Sequence, residues 1–290
     1  MANVLITGSK GQLGSEIRNL SSNYPDFRFI PTDVEELDLT DKAAVTKFIT
    51  ARSIDYIVNC AAYTAVDKAE DDAELCYKIN CDAVKNLAEA AADKAKIIHI
   101  STDYVFDGRA NVPYKENDPT NPQSVYGKSK LAGEEALLTA CPKSTIIRTS
   151  WLYSIYGNNF VKTMLRLGKE RSELNVVFDQ QGTPTYAADL ARAVLSVLVH
   201  IEKTADFPAG IYHYSNEGIT TRFDFTKKIL QLAGITTCTV HPITTEQYPV
   251  KAARPRYSVL DKTKIKETFG IIVPKWEESL EKCITVRMAQ

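Results

Sequence analysis

Through its first half the chain alternates short apolar runs with longer stretches of helical spacing. "NVLIT" (3–7), "FRFIPTD" (27–33), "DYIVNCA" (55–61), "KIIHIST" (96–102) and "STIIRTSWLY" (144–153) read as strands. Between them, "QLGSEIRNLSS" (12–22), "DKAAVTKFITAR" (41–52), "AELCYKINCDAVKNLAEAAADK" (73–94) and "YGKSKLAGEEALLTA" (126–140) read as helices. Near-continuous apolar strands that alternate with helices predict a parallel sheet covered on both faces. That is a doubly wound α/β architecture of the Rossmann type.

After about residue 150 the pattern loosens. Helices are expected over 158–170, 186–200 and 221–234, the last closed by Gly234 as a C-terminal cap. "GIYHYS" (210–215) reads as a strand, and residues 231–290 are richer in proline and turns. The expectation is a dinucleotide-binding domain formed by residues 1–150 plus about 184–214. A smaller C-terminal lobe, from about 151–183 and 215–290, is left to hold the substrate.

Composition narrows the class. The 290 residues, 44% hydrophobic and 24% charged, suit a globular protein with a large core. A net charge of −1 gives no broad nucleic-acid footprint. No apolar run approaches the ~20 residues of a membrane helix, and "MANVLITGSKG" does not read as a secretion signal. The cysteines (60, 76, 81, 141, 238, 283) form no C-x-x-C and suit a reducing cytosol better than a disulfide framework. The four histidines (99, 200, 213, 241) are isolated, show no ligand spacing and read as structural, so no metal site is expected. The expected setting is cytoplasmic, without membrane or nucleic-acid partners, and the oligomeric state stays open.

Two motifs carry chemistry. "TGSKGQLG" (7–14) places Gly8, Gly11 and Gly14 directly after the first strand, with Gln12 and Leu13 opening the next helix. Glycines permit a tight turn and close approach of a pyrophosphate, and a helix N-terminus offers free N–H groups and a favourable dipole. The spacing G-x-x-G-x-x-G differs from the commoner G-x-G-x-x-G. Asp33, closing the second strand, favours the ribose 2′-hydroxyl of NAD, whereas Lys10 inside the loop suits a 2′-phosphate. The two signals oppose each other, so both NADH and NADPH are expected to serve. Asp38 and Leu39 are read as meeting the adenine, the alternative being a helix-entry acid and a core leucine.

The second motif is "VYGKSK" (125–130), the chain's one Tyr-x-x-x-Lys match. Tyr126 and Lys130 share a helix face, and Thr102 ends the fourth strand just upstream, where ligands of open α/β sheets bind. An ammonium beside a phenol favours the phenolate. Such a tyrosine can exchange a proton with a substrate oxygen, to which Thr102 would also hydrogen-bond.

Together the glycine loop, "NCAAYT" (59–64), "STDYVF" (101–106) and "YGKSK" (126–130) resemble the extended short-chain dehydrogenase/reductase family. The resemblance implies that Thr102, Tyr126 and Lys130 are catalytic, that Cys60, Ala61 and Ala62 wall the cofactor, and that Asn80 supports a water relay. It runs from residue 2 to about 285 through "TAVDKAE" (64–70), "RTSWLY" (148–153), "NNFVKTML" (158–165), "DQQGTPTY" (179–186) and "ARPRYSVLD" (253–261), and it is nearest to members that reduce the 4-keto group of a dTDP-6-deoxysugar. It further implies that Thr102, Asp103, Tyr104 and Trp151 face the sugar. Trp151 offers an apolar face and one N–H, or else is a core tryptophan. Arg256, with Arg254, suits a diphosphate, or else lies in a surface loop. Asp179, Gln180 and Gln181 read equally as base-binding or turn residues. A dehydratase of the same family is disfavoured because Tyr104 stands where such enzymes place a glutamate. An epimerase, or a non-catalytic regulatory subunit of the methionine adenosyltransferase type, remains as a rival reading.

Overall fold

The computed structural model describes residues 1–92 and 94–288. In chain order the first half carries β1 (Ala2–Thr7), α1 (Gln12–Leu20), β2 (Phe27–Pro31), α2 (Lys42–Ala51), β3 (Tyr56–Asn59), α3 (Val66–Ala69), α4 (Ala73–Tyr77), α5 (Ala83–Ala91), β4 (Lys96–Thr102), α6 (Val125–Ala140) and β5 (Ser144–Thr149). The second half adds β6 (Leu152–Tyr153), α7 (Phe160–Glu170), β7 (Glu173–Val177), β8 (Gln181–Gly182), β9 (Thr185–Tyr186), α8 (Ala187–Thr204), β10 (Gly210–His213), β11 (Thr220–Thr221), α9 (Arg222–Leu232), β12 (Thr239–Ile243), α10 (Thr263–Phe269) and α11 (Trp276–Met288).

Six strands form one sheet in the order β10-β5-β4-β3-β1-β2, with every pair parallel. Strands buried on both sides explain the apolar runs: Val4, Leu5 and Ile6 are all fully covered. One face packs α1 and α8 through Leu13, Ile17, Leu190 and Val194, and the other packs α2, α5 and α6 through Val45, Ile49, Leu87 and Leu137. The chain reverses direction across the sheet between β1 and β3, so the carboxyl ends of β1, β3, β4 and β5 open onto one crevice. Strand β10 returns beside β5, with Ile211 opposite Ile146. A separate apolar cluster gathers Tyr153, Val161, Leu165, Val176, Phe225, Ile229, Trp276 and Leu280 from the later segments.

Three local readings change. The helix expected over 73–94 is interrupted: a wide π turn at Lys78–Asp82 separates α4 from α5, and Asp93 lies outside the described residues. The turn places the Asn80 carbonyl against α6, where a Cβ at Gly133 would meet it at 2.0 Å. The strand expected over 144–153 stops at Thr149, because Trp151 takes φ +46° and turns the chain before β6. The segment 231–290 is more regular than its prolines suggest. It holds β12, paired with β7, as well as α10 and α11. Buried Trp276, Leu280, Cys283 and Ile284 in α11 do follow a helical spacing.

Candidate active site

The glycine loop builds a cradle. Gly8 takes φ +61°, and a Cβ there would lie 2.7 Å from the Ala61 nitrogen. A Cβ at Gly14 would lie 2.4 Å from the Gly8 carbonyl oxygen. Gly11 caps α1 without a side-chain hydrogen bond, which leaves first-turn N–H groups for an anion. These features fit a dinucleotide pyrophosphate. Gly8, Gly11, Gln12, Leu13 and Gly14 line one side of a cleft of about 590 Å³, and Cys60 and Ala62 line another. The Ala61 N–H instead donates to Asn59 Oδ1 at 3.2 Å.

Four expected cofactor residues lie off this cleft: Lys10 within the loop, and Asp33, Asp38 and Leu39 after β2. The Lys10 amide donates to Asp33 Oδ2 at 2.9 Å, and its ammonium pairs with Glu35 and Glu36. Asp38 accepts from the Thr40 amide and hydroxyl, both at 2.8 Å. Leu39 packs against the α2–α5 core, and its carbonyl accepts from Asn86 at 3.0 Å.

Thr102, Tyr126 and Lys130 meet in the cleft. Thr102 arrives at the end of β4. Ser124 caps α6 by accepting from the Gly127 amide at 3.1 Å, which fixes the first turn that carries Tyr126. Burial pushes the Tyr126 phenol well above its ordinary range, while a hydrogen bond to Thr102 pulls it back. Burial pushes Lys130 down to about 8, against the opposing pull of Glu134. Its Nζ donates to the Ile100 carbonyl at 2.7 Å and lies 3.3 Å from His99 Nε2. Asn80 sits one layer back. It accepts from the Tyr63 amide at 2.8 Å and donates to the Tyr63 carbonyl at 3.1 Å and to Ser129 Oγ at 3.0 Å.

On the sugar side, Asp103, Tyr104 and Trp151 also line the cleft. Burial raises Asp103 to about 6, opposed by the Thr102 hydroxyl, Ser258 and Arg222. Asp103 Oδ2 and Ser258 Oγ are both buried near each other, and neither has a partner in good hydrogen-bond geometry. The Tyr104 ring meets Tyr126 edge-on at 5.4 Å.

Neither arginine of "RPRY" lines this cleft. Arg256 is exposed and pairs with Glu246 at 2.8 Å, and its backbone carbonyl accepts from the Gln181 amide at 2.7 Å. Arg254 is ion-paired to Asp67 and reaches the Tyr104 hydroxyl at 3.4 Å. The arginine that lines the cleft is Arg222, which no motif marked. Its Cζ lies 3.6 Å from the Trp151 ring centroid and 4.9 Å from that of Phe160. Asp179 holds Thr245, accepting from its hydroxyl at 2.7 Å, as a turn residue does. Among the described residues there is no His, Cys, Asp or Glu group able to hold a metal, and no helix long and apolar enough to cross a membrane.

A glycine-loop cleft at the strand ends, with Thr–Tyr–Lys beside it, defines an NAD(P)-dependent oxidoreductase of the short-chain dehydrogenase/reductase class. Residues 1–288 match the family described as RmlD substrate binding domain, and the chain belongs to the dTDP-4-dehydrorhamnose reductase family. It is 44% identical to a dTDP-4-dehydrorhamnose reductase of Aggregatibacter actinomycetemcomitans, covering 97% of this chain and 98% of the relative. Among solved structures, the reductase of Clostridium acetobutylicum is similar at 47% identity and TM-score 0.92, covering 99% of each chain. That of Bacillus anthracis, in complex with NADP, is similar at 41% identity and TM-score 0.92, covering 99% of this chain and all of the other.

Proposed function

We propose that this chain reduces the 4-keto group of dTDP-4-dehydro-L-rhamnose with NADPH or NADH to give dTDP-L-rhamnose, with Tyr126 as proton donor. The observation that carries this reading is the convergence of Thr102, Tyr126 and Lys130 with the glycine loop in one cleft. Bound along the loop, the reduced dinucleotide supplies a hydride to the sugar C4. Tyr126 gives its phenolic proton to the sugar O4, and the Thr102 hydroxyl orients that oxygen. Lys130, when charged, stabilises the phenolate left behind. Gly8, Gly11 and Gly14 hold the pyrophosphate through backbone N–H groups. Asp103, Tyr104, Trp151 and Arg222 hold the nucleotide sugar.

Residues 1–150 and about 184–214 serve the dinucleotide in this reading, and about 151–183 with 215–290 serve the nucleotide sugar. A cytoplasmic setting fits the six free cysteines.

The test is consumption of NADPH or NADH by the isolated chain with the dTDP-4-keto sugar, beside Tyr126→Phe. Wild type should turn over. The variant should still bind the dinucleotide while its rate falls by about 10²–10⁴-fold. A wild-type chain that binds the dinucleotide without turnover would sink the reductase reading and bring the binding-only alternative forward.

A further inference from the structure

A buried polar chain runs beneath the catalytic lysine. Thr7 of β1 donates to Asn59 Oδ1 at 2.6 Å, Asn59 Nδ2 lies 3.0 Å from His99 Nδ1, and His99 Nε2 lies 3.3 Å from Lys130 Nζ. All four side chains are essentially without solvent contact. The sense of this chain is set at one end. The Ala61 backbone N–H points at Asn59 Oδ1, and a backbone N–H can only donate. Asn59 Oδ1 is therefore the acceptor, and its amide NH₂ faces His99. The Asn59 NH₂ can only donate, so His99 Nδ1 must accept. The histidine proton then sits on Nε2, directed at Lys130.

Lys130 has two fixed neighbours here: the Ile100 carbonyl, an acceptor, and the His99 Nε2–H, a donor. An ammonium has no lone pair to meet that donor. A neutral amine fits both, giving one N–H to Ile100 and a lone pair to His99, with a second N–H left for the cleft.

We propose that His99 is a positioning residue for Lys130: Asn59 holds it as the Nε2–H tautomer, and that tautomer favours the neutral amine of Lys130 in the free enzyme. Ligand hydroxyls that accept from Lys130 then favour its ammonium, so the charge that assists Tyr126 strengthens when the cleft is filled. The other groups facing this pair leave the argument intact. Glu134, on the lysine's own helix, favours the ammonium but is held by Arg148. Cys60, after β3, and Cys76, on α4, are thiols that burial pushes up and keeps neutral. Tyr126 is likewise pushed up, and the one titratable neighbour that acts on His99 is Lys130 itself. Burial independently pushes Lys130 in the same direction, to about 8.

The first test is independent of activity. A long-range ¹H–¹⁵N spectrum of histidine-labelled protein, with His99 assigned by His99→Gln, reads the tautomer. The expected result is a neutral ring with the proton on Nε2. A proton on Nδ1, or an imidazolium at neutral pH, overturns the proposal. In Asn59→Asp the carboxylate accepts from Thr7, Ala61 and His99 Nδ1–H, so the tautomer should invert.

The second test rests on the reductase reading. Wild-type kcat/KM, which reports the free enzyme, should fall as pH rises through about 8. In Asn59→Asp, and in His99→Gln, which offers Lys130 an amide oxygen without adding charge, that fall should move up by about one pH unit. An equal loss at every pH with an unmoved fall means that His99 only fills space, which overturns the proposal. A wild-type chain without turnover removes the reductase reading alone, since the spectrum still decides the tautomer.

Discussion

Arg222 stacks on Trp151, its Cζ 3.6 Å from the ring centroid, and the pair depends on two backbone accommodations. Trp151 turns into the cleft at φ +46°, and Gly182 leaves room for its ring, since a Cβ there would lie 2.6 Å from Trp151 Cε2. Burial lowers Arg222 to about 10, so it stays charged at neutral pH, and it forms no ion pair among the described residues. Asp103 acts on it electrostatically without forming an ion pair, and a buried guanidinium outside an ion pair is a receptor for an anion.

Arg222→Met should therefore raise KM for the nucleotide sugar by about 10–100-fold, the worth of a charged hydrogen bond, with a smaller change in kcat. Arg222→Lys should fall between, since it keeps the charge but not the planar stack. Initial rates at varied sugar concentration check this. An unchanged KM would make the arginine a packing residue.

Asp103 predicts a pH dependence of stability. Its carboxyl rises from 3.8 to about 6 on folding, so between those values the folded state binds more protons than the unfolded one. Stability contributed by this group is therefore present at pH 4 and lost as pH rises through 6. The displacement corresponds to at most about 3 kcal/mol. Asp103→Asn should match wild type in urea unfolding at pH 4 and exceed it by about 1–3 kcal/mol at pH 7, while its reductase rate drops. Equal stability at both pH values would show that the carboxylate is not strained by its burial.

The sheet and the Thr–Tyr–Lys set were legible because both rest on local signals. Apolar strands buried on two faces leave continuous runs, and a reactive pair one turn apart leaves a fixed spacing. The same logic explains what was hidden. Arg222 reaches the cleft only because α9 packs beside Trp151, a contact between segments far apart in sequence. His99 looked solitary because its partners, Asn59 and Lys130, come from a different strand and a helix. "TVHPI" (239–243) carries proline and is mostly exposed, so β12 shows no core alternation and exists through its pairing with β7. The π turn at 78–82 left no mark in a run rich in alanine and leucine.

That turn can be tested at Gly133. A Cβ there would come within 2.0 Å of the Asn80 carbonyl oxygen, which is backbone and cannot swing aside. Gly133→Ala should cost about 2–4 kcal/mol through overpacking and backbone displacement. Gly234→Ala provides the contrast. It meets nothing within 4 Å and bears only its φ of +66°, so about 1 kcal/mol is expected. Urea unfolding of both variants decides. Equal costs would show that α6 and the π turn can separate without penalty.

Glu134 joins stability to chemistry. It accepts from Arg148 Nε at 2.9 Å and Nη2 at 2.6 Å, with both side chains 2% exposed. Glu134→Gln leaves the guanidinium facing an amide in the same buried site. Breaking such a pair costs about 3–5 kcal/mol, to be read in the urea midpoint. The same carboxylate favours the ammonium of Lys130, so removing its charge should lower the lysine further below about 8. The alkaline fall in reductase rate should then arrive at lower pH, opposite in direction to Asn59→Asp. A destabilised variant whose pH–rate curve keeps its wild-type position would separate the two roles, leaving Glu134 as the partner of Arg148 alone.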